Sequence, residues 1–558
     1  MTRRRIASFG RRTALVAAVL MWAVAPPARA HAPWSAKAWG NNNVGQLGNG
    51  TRQAPEKCVA ENAAGDPCDP SPMAVSKLSG LTAVAGGGQL ESSDFALALL
   101  ENGTVQAWGS NFNGQLGNGT TEGSDAPAAV KGLTAVKAIA AGGEFGLALL
   151  EDGTVSAWGS NGSGQLGTGN TTNSTTPVAV CAVGETAPCA KDLEGVTAVA
   201  AGGNFALAVL SNGTVVAWGD GSEGRLGDGT TTSSTVPVGV CAAGTTGACP
   251  TGPFLSGVTA VSADATDGLA RLNNGTAVAW GEGLFGQLGN GGTAEANSPV
   301  VVKEKNAKGE LVPLEGVSAV SAGGSLNGTG DPQMVALLSN GTVRSWGFNE
   351  DGQLGNGSFT GPETCTSGTT KPACSTTAIA VSGLTGVTAV AARGGFTLAL
   401  LSSGTIESWG KNGNAELGTG SITGPEPCGT PFAEVCSTKP VAVIDTPDTK
   451  GIGAGPLFGL ALGPPPTVTA VTFPGRKHGH ARGPSKGGTT VTVRGLDFAG
   501  VSAVKFGGVE AASFTVSSAT SITAVSPPHA KGAVDVTVTN VWGTSATSEA
   551  DHFNYRRR

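Results

Sequence analysis

No histidine occurs between Ala32 and Pro466; the five in the chain are His31, His478, His480, His529 and His552. Ser-His-Asp, Cys-His and histidine-ligated metal chemistry are thereby excluded from most of the sequence. Tyrosine occurs once, at Tyr555, and aromatic residues make up only 5% of the chain. A recognition surface built on tyrosine anchors is therefore missing from the same region. There is no CxxC pair, which removes dithiol redox chemistry. No GK[ST] motif stands where a strand would turn into a helix, so the many glycine-rich stretches read as turns and not as phosphate cradles. No cofactor is expected. Amphipathic helical periodicity is nearly absent, and beyond the first 30 residues no apolar run approaches the roughly 20 residues of a spanning helix.

The N-terminus reads as a targeting segment. Arg3, Arg4, Arg5, Arg11 and Arg12 precede the apolar run "TALVAAVLMWAVA", and "PPARA" follows with Ala28 and Ala30 at the small-residue positions. A basic region, a short apolar region and a cleavage site predict a signal peptide over residues 1–30, and hence an extracellular or cell-surface location.

What is abundant points to strands. The chain holds 89 glycines against 13% charged residues, and it is rich in Thr, Val and Ala. That composition favours short strands and tight turns. Charge is divided: residues 31–466 carry 18 Lys+Arg against 35 Asp+Glu, and residues 467–558 carry 10 against 5. An acidic main body is a poor match for nucleic acid, whose affinity comes mostly from phosphate contacts.

One phrase recurs. Trp-Gly pairs beginning at Trp39, Trp108, Trp158, Trp218, Trp280, Trp346 and Trp409 are each followed by a Leu-Gly pair, beginning at Leu47, Leu116, Leu166, Leu226, Leu288, Leu354 and Leu417. Such a period predicts a solenoid or a propeller. "FALALLENGTVQAWG" (Phe95–Gly109) reads as a β-hairpin with a two-residue type I′ turn, positive φ at both turn residues. A strand such as "GLTAVKAIAAGG" precedes each hairpin and a short "PAAV"-like strand follows. Four strands per unit make a propeller blade, with Trp and Leu filling the wedge between blades. The first unit, "AKAWGNNNVGQLGNG", lacks the strand that "GIGAGPLFGLALGPPP" supplies at the other end. The expectation is an all-β, seven-bladed propeller over 31–463, closed by pairing its N- and C-terminal strands, with Leu457–Leu462 beside Ala36–Trp39.

These motifs resemble those of the regulator of chromosome condensation (RCC1-type) repeat family, whose fold is a seven-bladed propeller. The resemblance runs from about Ala36 to Gly463. Phe145, Phe205, Phe396 and Phe458 stand where the family often has histidine. The interval "SADATDGLARLNNG" lacks the paired glycines, and "GGGQLESSDFALAL" and "GGSLNGTGDPQMVAL" carry insertions; these loops are candidates for specialised contacts. After a proline linker at 464–466, residues 467–558 show alternating strands of an Ig-like β-sandwich. With "GGTTVTVRG", "VKFGG", "SPP", "VDVTVTN" and "FNY" in order, they resemble the IPT/TIG family, usually a binding or spacing module.

The ten cysteines fall into five local pairs, Cys58/Cys68, Cys181/Cys189, Cys241/Cys249, Cys365/Cys374 and Cys428/Cys436. Short separations, an even count and the export signal predict five disulfides inside loops. Because the pairs belong to different units, they do not suggest zinc. No metal site is expected. "HGH" at His478–His480 could hold a transition metal, although a solvated basic loop accounts for it.

The segments between Trp-Gly and Gln-Leu-Gly vary while the flanking motifs stay fixed, which marks one rim as the expected binding face. Its candidate residues are Phe112, Asp220, Glu223, Glu282, Phe285, Phe348, Glu350 and Asp351. Two of the carboxylates could serve as acid and base, but nothing in the pattern fixes their geometry, so no catalytic residue is assigned. The expectation is a monomeric, non-enzymatic scaffold that binds an unidentified protein or cell-wall partner. The repeat family implies guanine-nucleotide exchange as an alternative. A secreted bacterial branch of the fold that inhibits β-lactamases is similar too, and suggests a protein inhibitor.

Overall fold

The computed structural model describes residues 33–58, 65–89, 92–324, 332–365, 371–428, 434–475 and 481–557. The expected signal peptide and His478–His480 lie outside these residues. The described chain is all β, with two short 3-10 turns, and none of its helices is long and apolar enough to cross a membrane.

Seven sheets follow one another, antiparallel except where Lys303–Lys305 pairs parallel with Ala373–Ala380 in the sixth, and we number them as blades. The second is typical: Leu81–Gly87, Phe95–Leu100, Val105–Gly109 and Ser124–Ala129 in simple meander order. Their innermost strands touch in a closed cycle that returns from Gly451–Ala454 to Leu81–Gly87. Closure leaves the ring without a first and a last blade, and the strand edges that remain are the outer strands of the individual blades. The first blade is assembled from both ends of the repeat region. Ser35–Asn41 pairs antiparallel with Phe458–Gly463, placing Ala36 opposite Leu462 and Trp39 opposite Gly459, as the two incomplete terminal units predict.

The hairpin turn differs from expectation. Only the glycine has positive φ (+74° at Gly103), and Asn102 does not. Leu100 accepts from the Gly103 N–H, and the Leu100 N–H donates to Thr104. This is a three-residue loop, a type I turn followed by a left-handed glycine. The Asn102 carboxamide oxygen accepts from both the N–H and the hydroxyl of Thr104, which explains the recurring Asn-Gly-Thr without a type I′ geometry.

Each Trp-Gly marks a bulge. The register between third and fourth strands shifts at this point in every blade, as between Ala107 and Gly109. The glycine takes φ from +99° to +118° in all seven, a region closed to side chains. The tryptophan is fully buried and donates its indole N–H to a carbonyl of the preceding blade: Trp108 to Gln46, Trp158 to Gln115, Trp218 to Gln165, Trp280 to Arg225, Trp346 to Gln287, Trp409 to Gln353 and Trp39 to Glu416, all at 2.8–3.0 Å. The glycine after each leucine lies against that indole, so that a Cβ on Gly418 would stand 2.7 Å from Trp39 Nε1. Trp-Gly and Leu-Gly are thus two halves of one inter-blade joint.

The cysteines pair as their spacing predicts, with Cα–Cα distances of 5.6–5.9 Å. Their placement inside loops needs correction in three blades. Cys181/Cys189 and Cys241/Cys249 do follow the fourth strands of blades three and four, Ser174–Ala179 and Ser234–Gly239. Cys68, Cys374 and Cys436 instead lie within the fourth strands of blades one, six and seven, Pro67–Ala74, Ala373–Ala380 and Glu434–Ala442. All three are fully buried. The cause is a longer connection that folds back as an extra strand. Glu56 pairs with Cys68, Glu363 with Cys374 and Glu426 with Cys436, so each fourth strand is lengthened through its cysteine. These three disulfides therefore staple a hairpin at the edge of a blade, where they are shielded from solvent thiols.

The described residues between 467 and 557 form two facing sheets, one of Thr467–Thr472, Thr490–Leu496, Ser521–Val525 and Ser513–Ser518, the other centred on Gly532–Asn540 and His552–Arg556. Val491, Val493, Phe498, Phe506, Phe553 and Tyr555 fill the core between them. An eighth Trp-Gly pair, Trp542-Gly543, lies in this sandwich and serves another purpose. Trp542 is buried with Trp39, Phe396 and Ala461 of the propeller, and its indole donates to the Pro447 carbonyl at 2.6 Å. The sandwich is therefore docked on the blade that closes the ring.

Candidate functional site

The antiparallel pairing of Phe95 with Gly109 and Leu99 with Val105 puts the Trp-Gly loops at one end of each hairpin and the Asn-Gly turns at the other. The loops joining first and second strands, including "SADATDG", share the Trp-Gly face.

The expected rim residues do not behave alike there. Phe112 is 75% exposed. Phe348 extends the third strand of its blade opposite Cys374, so its ring turns inward and is 6% exposed. It packs edge to face on half-buried Phe285 at 5.5 Å. The pair is a packing contact, and Phe112 alone of the three is displayed. Glu350 is exposed, whereas Asp351 is buried beside Gln353. Part of the rim's apparent freedom is also structural: the Asn111 oxygen accepts from Leu116 N–H while its amide donates to the Thr120 and Glu122 carbonyls. Asn42, Asn161, Asn349 and Asn412 likewise accept from the corresponding leucine N–H.

Asp220, Glu223 and Glu282 belong to a larger cluster in blades four and five. Its centre is Arg225, which stands where most blades have the glutamine of Gln-Leu-Gly. Arg225 is 4% exposed, pairs with Asp220 at 3.1 Å and with Glu223, and donates to the Ala265 carbonyl. Burial pushes Asp220 up, but hydrogen bonds from Ser222 and the Arg225 charge outweigh it and hold the carboxyl below its ordinary value. Glu282 is raised, by burial first and then by the charge of Glu223.

Beside them lie two carboxylates that the repeat pattern did not single out, Asp264 and Asp267. They occupy the positions held in neighbouring blades by Gly202 and Phe205, as the shared backbone bonds Asp264 N–H to Asp267 O and Gly202 N–H to Phe205 O establish. Asp264 is 3% exposed and Asp267 fully buried. Asp264 Oδ1 accepts from the N–H groups of Thr266 and Asp267, and the Thr266 hydroxyl donates to Asp267. Asp264 Oδ2 and Asp267 Oδ1 have no hydrogen-bond partner among the described residues. Burial lifts Asp264 to about 7 and Asp267 well above its ordinary value, and the charge of Asp264 raises Asp267 further. The missing paired glycines in "SADATDG" were the legible signal.

The inner strands of all seven blades enclose a channel with a cavity of about 190 Å³, walled mainly by Ala, Val and Gly. Side chains cross its mouth on the Trp-Gly face. Arg393 of blade seven donates to the carbonyls of Ala141 and Gly88, and Gln89 of blade two donates to Gly203 and Asn204 of blade four. Burial lowers Arg393 to about 10, against the pull of Asp94 and Asp264. The arrangement offers charged groups that bind and orient. No nucleophile–base pair is set out within it among the described residues.

Residues 35–444 match the RCC1-like domain family. The chain belongs to that family. Residues 466–555 match the IPT/TIG domain. This RCC1-like chain is 30% identical over 165 residues to the ultraviolet-B receptor UVR8 of Arabidopsis thaliana, covering 29% of this chain and 32% of the receptor. It is 31% identical over 236 residues to the mitochondrial RCC1 domain-containing protein RUG3 of the same plant, covering 42% and 46%. Human E3 ubiquitin-protein ligase HERC2 is 29% identical over 237 residues, 40% of this chain and 4% of the ligase. The RCC1-like chain thus spans less than half the length of these relatives. Yeast RCC1 (Prp20), solved in a complex with Kap60, superimposes with a TM-score of 0.58 at 19% identity over 83% of this chain and 96% of that one. Human WBSCR16 gives 0.56 at 20% identity over 78% and 99%. These likenesses show the fold.

Proposed function

We propose that this RCC1-like chain is an exported, non-enzymatic binding protein that engages a partner protein through its Trp-Gly face. The observation that carries the reading is the replacement of a glycine and a phenylalanine by Asp264 and Asp267 at the buried edge of that face. Burying carboxylates with unpartnered oxygens opposes folding, and departures of this kind concentrate at functional sites. Around this edge Asp220, Glu223 and Glu282 outnumber Arg225, so the partner contributes a lysine or arginine side chain. Exposed Phe112 adds apolar contact on the same face. Five cysteine pairs support an oxidising compartment, which favours this reading over exchange on a cytosolic GTPase. The human relative is a ubiquitin ligase and the yeast one was solved bound to Kap60, and protein binding is the common ground carried over here.

The test is capture from culture medium and cell envelope with the mature chain, against a Phe112→Ala/Glu282→Gln variant. A protein recovered by the parent and at least tenfold depleted with the variant supports the reading. Equal recovery by both removes it.

A further inference from the structure

The sandwich contains a second polar site, remote in character from the propeller face. We propose that Asp535, Asp551 and His552 bind a divalent transition cation of the zinc class. Asp535 on Gly532–Asn540 and His552 on His552–Arg556 are direct cross-strand partners. His552 Nε2 lies 3.1 Å from Asp535 Oδ1. Asp551 ends the 3-10 turn Glu549–Asp551 and delivers its carboxylate from the adjacent position. One ligand atom from each of the three lies within 4.8 Å of the others. A zinc-class ion with ligands at about 2.0–2.2 Å places its donors up to roughly 4 Å apart, so small side-chain rotations complete the set. Two carboxylate oxygens and an imidazole nitrogen suit zinc and its first-row neighbours better than calcium, which takes 6–8 oxygens.

A helix cap and a surface ion pair alone do not account for these groups. Asp551 is fully buried. Its Oδ2 is held by the Ser548 N–H at 2.7 Å in a capping box, which fixes the plane of the carboxylate. Its Oδ1 is buried with no hydrogen-bond partner among the described residues. A carboxylate oxygen of Asp535 also lies within 4.8 Å of one of Asp551, so two acceptors face each other beside the imidazole. A cation supplies what is missing, and half-exposed Asp535 and His552 leave a path from solvent. Coordination would tie the last strand, His552–Arg556, to the centre of its sheet.

The experiment uses the tag-free mature chain carrying His478→Ala and His480→Ala, so that the basic loop contributes no ligand. After chelator treatment it is titrated with Zn²⁺ and, separately, with Ca²⁺ by calorimetry. The expected result is one Zn²⁺ bound per chain, at least tenfold tighter than Ca²⁺, with affinity lowered at least tenfold by His552→Ala and by Asp551→Asn. Melting curves of the metal-free variants establish that they are folded; if Asp551→Asn is not, Asp535→Asn takes its place. No Zn²⁺ binding, binding unchanged in folded His552→Ala, or Ca²⁺ bound as tightly as Zn²⁺ each overturns the proposal.

Discussion

Trp39 donates its indole N–H to the Glu416 carbonyl at 2.8 Å, across 377 residues of sequence. The six other inter-blade indole bonds join consecutive repeats; this one joins the first to the last. It depends on Gly418, which takes φ +62° and lies against the Trp39 ring. Gly418→Ala is expected to destabilise the propeller by about 2–4 kcal/mol, through steric overlap and left-handed strain together. Gly383 has a similar φ of +70° but nothing within 4 Å of a Cβ, so Gly383→Ala should cost only about 1 kcal/mol. Denaturant unfolding of the two variants measures the difference, and equal losses would contradict the joint.

The docking of the sandwich rests largely on Trp542. Trp542→Ala removes a buried ring and should lower stability by roughly 3–5 kcal/mol, separating one thermal transition into two. Trp542→Phe keeps most of the packing but loses the bond to Pro447, and is expected to cost less. Calorimetric scans check both, and an unaltered single transition in Trp542→Ala would count against docking.

Most of the fold was legible because a repeat states its packing rules seven times. The indole joint needs Trp-Gly and Leu-Gly together, so both persist, and the incomplete first and last units announce the clasp. Cysteine spacing gave the pairing but not the setting: nothing in the spacing of Cys68 or Cys436 shows that an added strand would extend the sheet to them. The site was less legible because its residues break the repeat. Phe348 looked variable and therefore available, yet it continues a strand and packs inward on Phe285. The missing paired glycines marked the loop of Asp264, but its role and that of Arg225 become clear only once blades are superimposed, since their meaning lies in what they replace. Gln89 and Arg393 act across the channel, and sequence separation carries no trace of that reach.

Asp264 gives a pH test. Burial raises its carboxyl from 3.8 to about 7, so the folded state holds a proton that the unfolded chain has released. The group's contribution to stability therefore declines as pH rises from about 4 to 7 and stays low above. Asp264→Asn preserves the acceptor for Thr266 and Asp267 but cannot ionise. It should be more stable than the parent at pH 8, by at most on the order of 4 kcal/mol, and equal to it at pH 4. A variant less stable at pH 8 would show that the charge is not costly.

The cysteine pairs make a covalent prediction. Unreduced peptide maps should join Cys181 to Cys189 and Cys241 to Cys249, each across 8 residues of sequence. A cross-link between those two loops would contradict the assignment. Under mild reductant without denaturant, the buried Cys58–Cys68 and Cys428–Cys436 bonds should outlast Cys181–Cys189, whose Cys189 is partly exposed. The reverse order, read by alkylation and mass, would count against the strand placement of Cys68 and Cys436.

The binding face is tested most directly by site-specific photo-crosslinking. A benzophenone amino acid replaces Phe112 on the Trp-Gly face or exposed Asn212 at a hairpin turn on the opposite face. Each labelled chain is irradiated with culture medium and envelope fractions, and adducts are identified by mass. The account predicts one specific protein adduct from position 112, reduced by Glu282→Gln and by added salt, and none from position 212. The same adduct from position 212, with none from 112, would place the interaction on the other face and contradict the central claim.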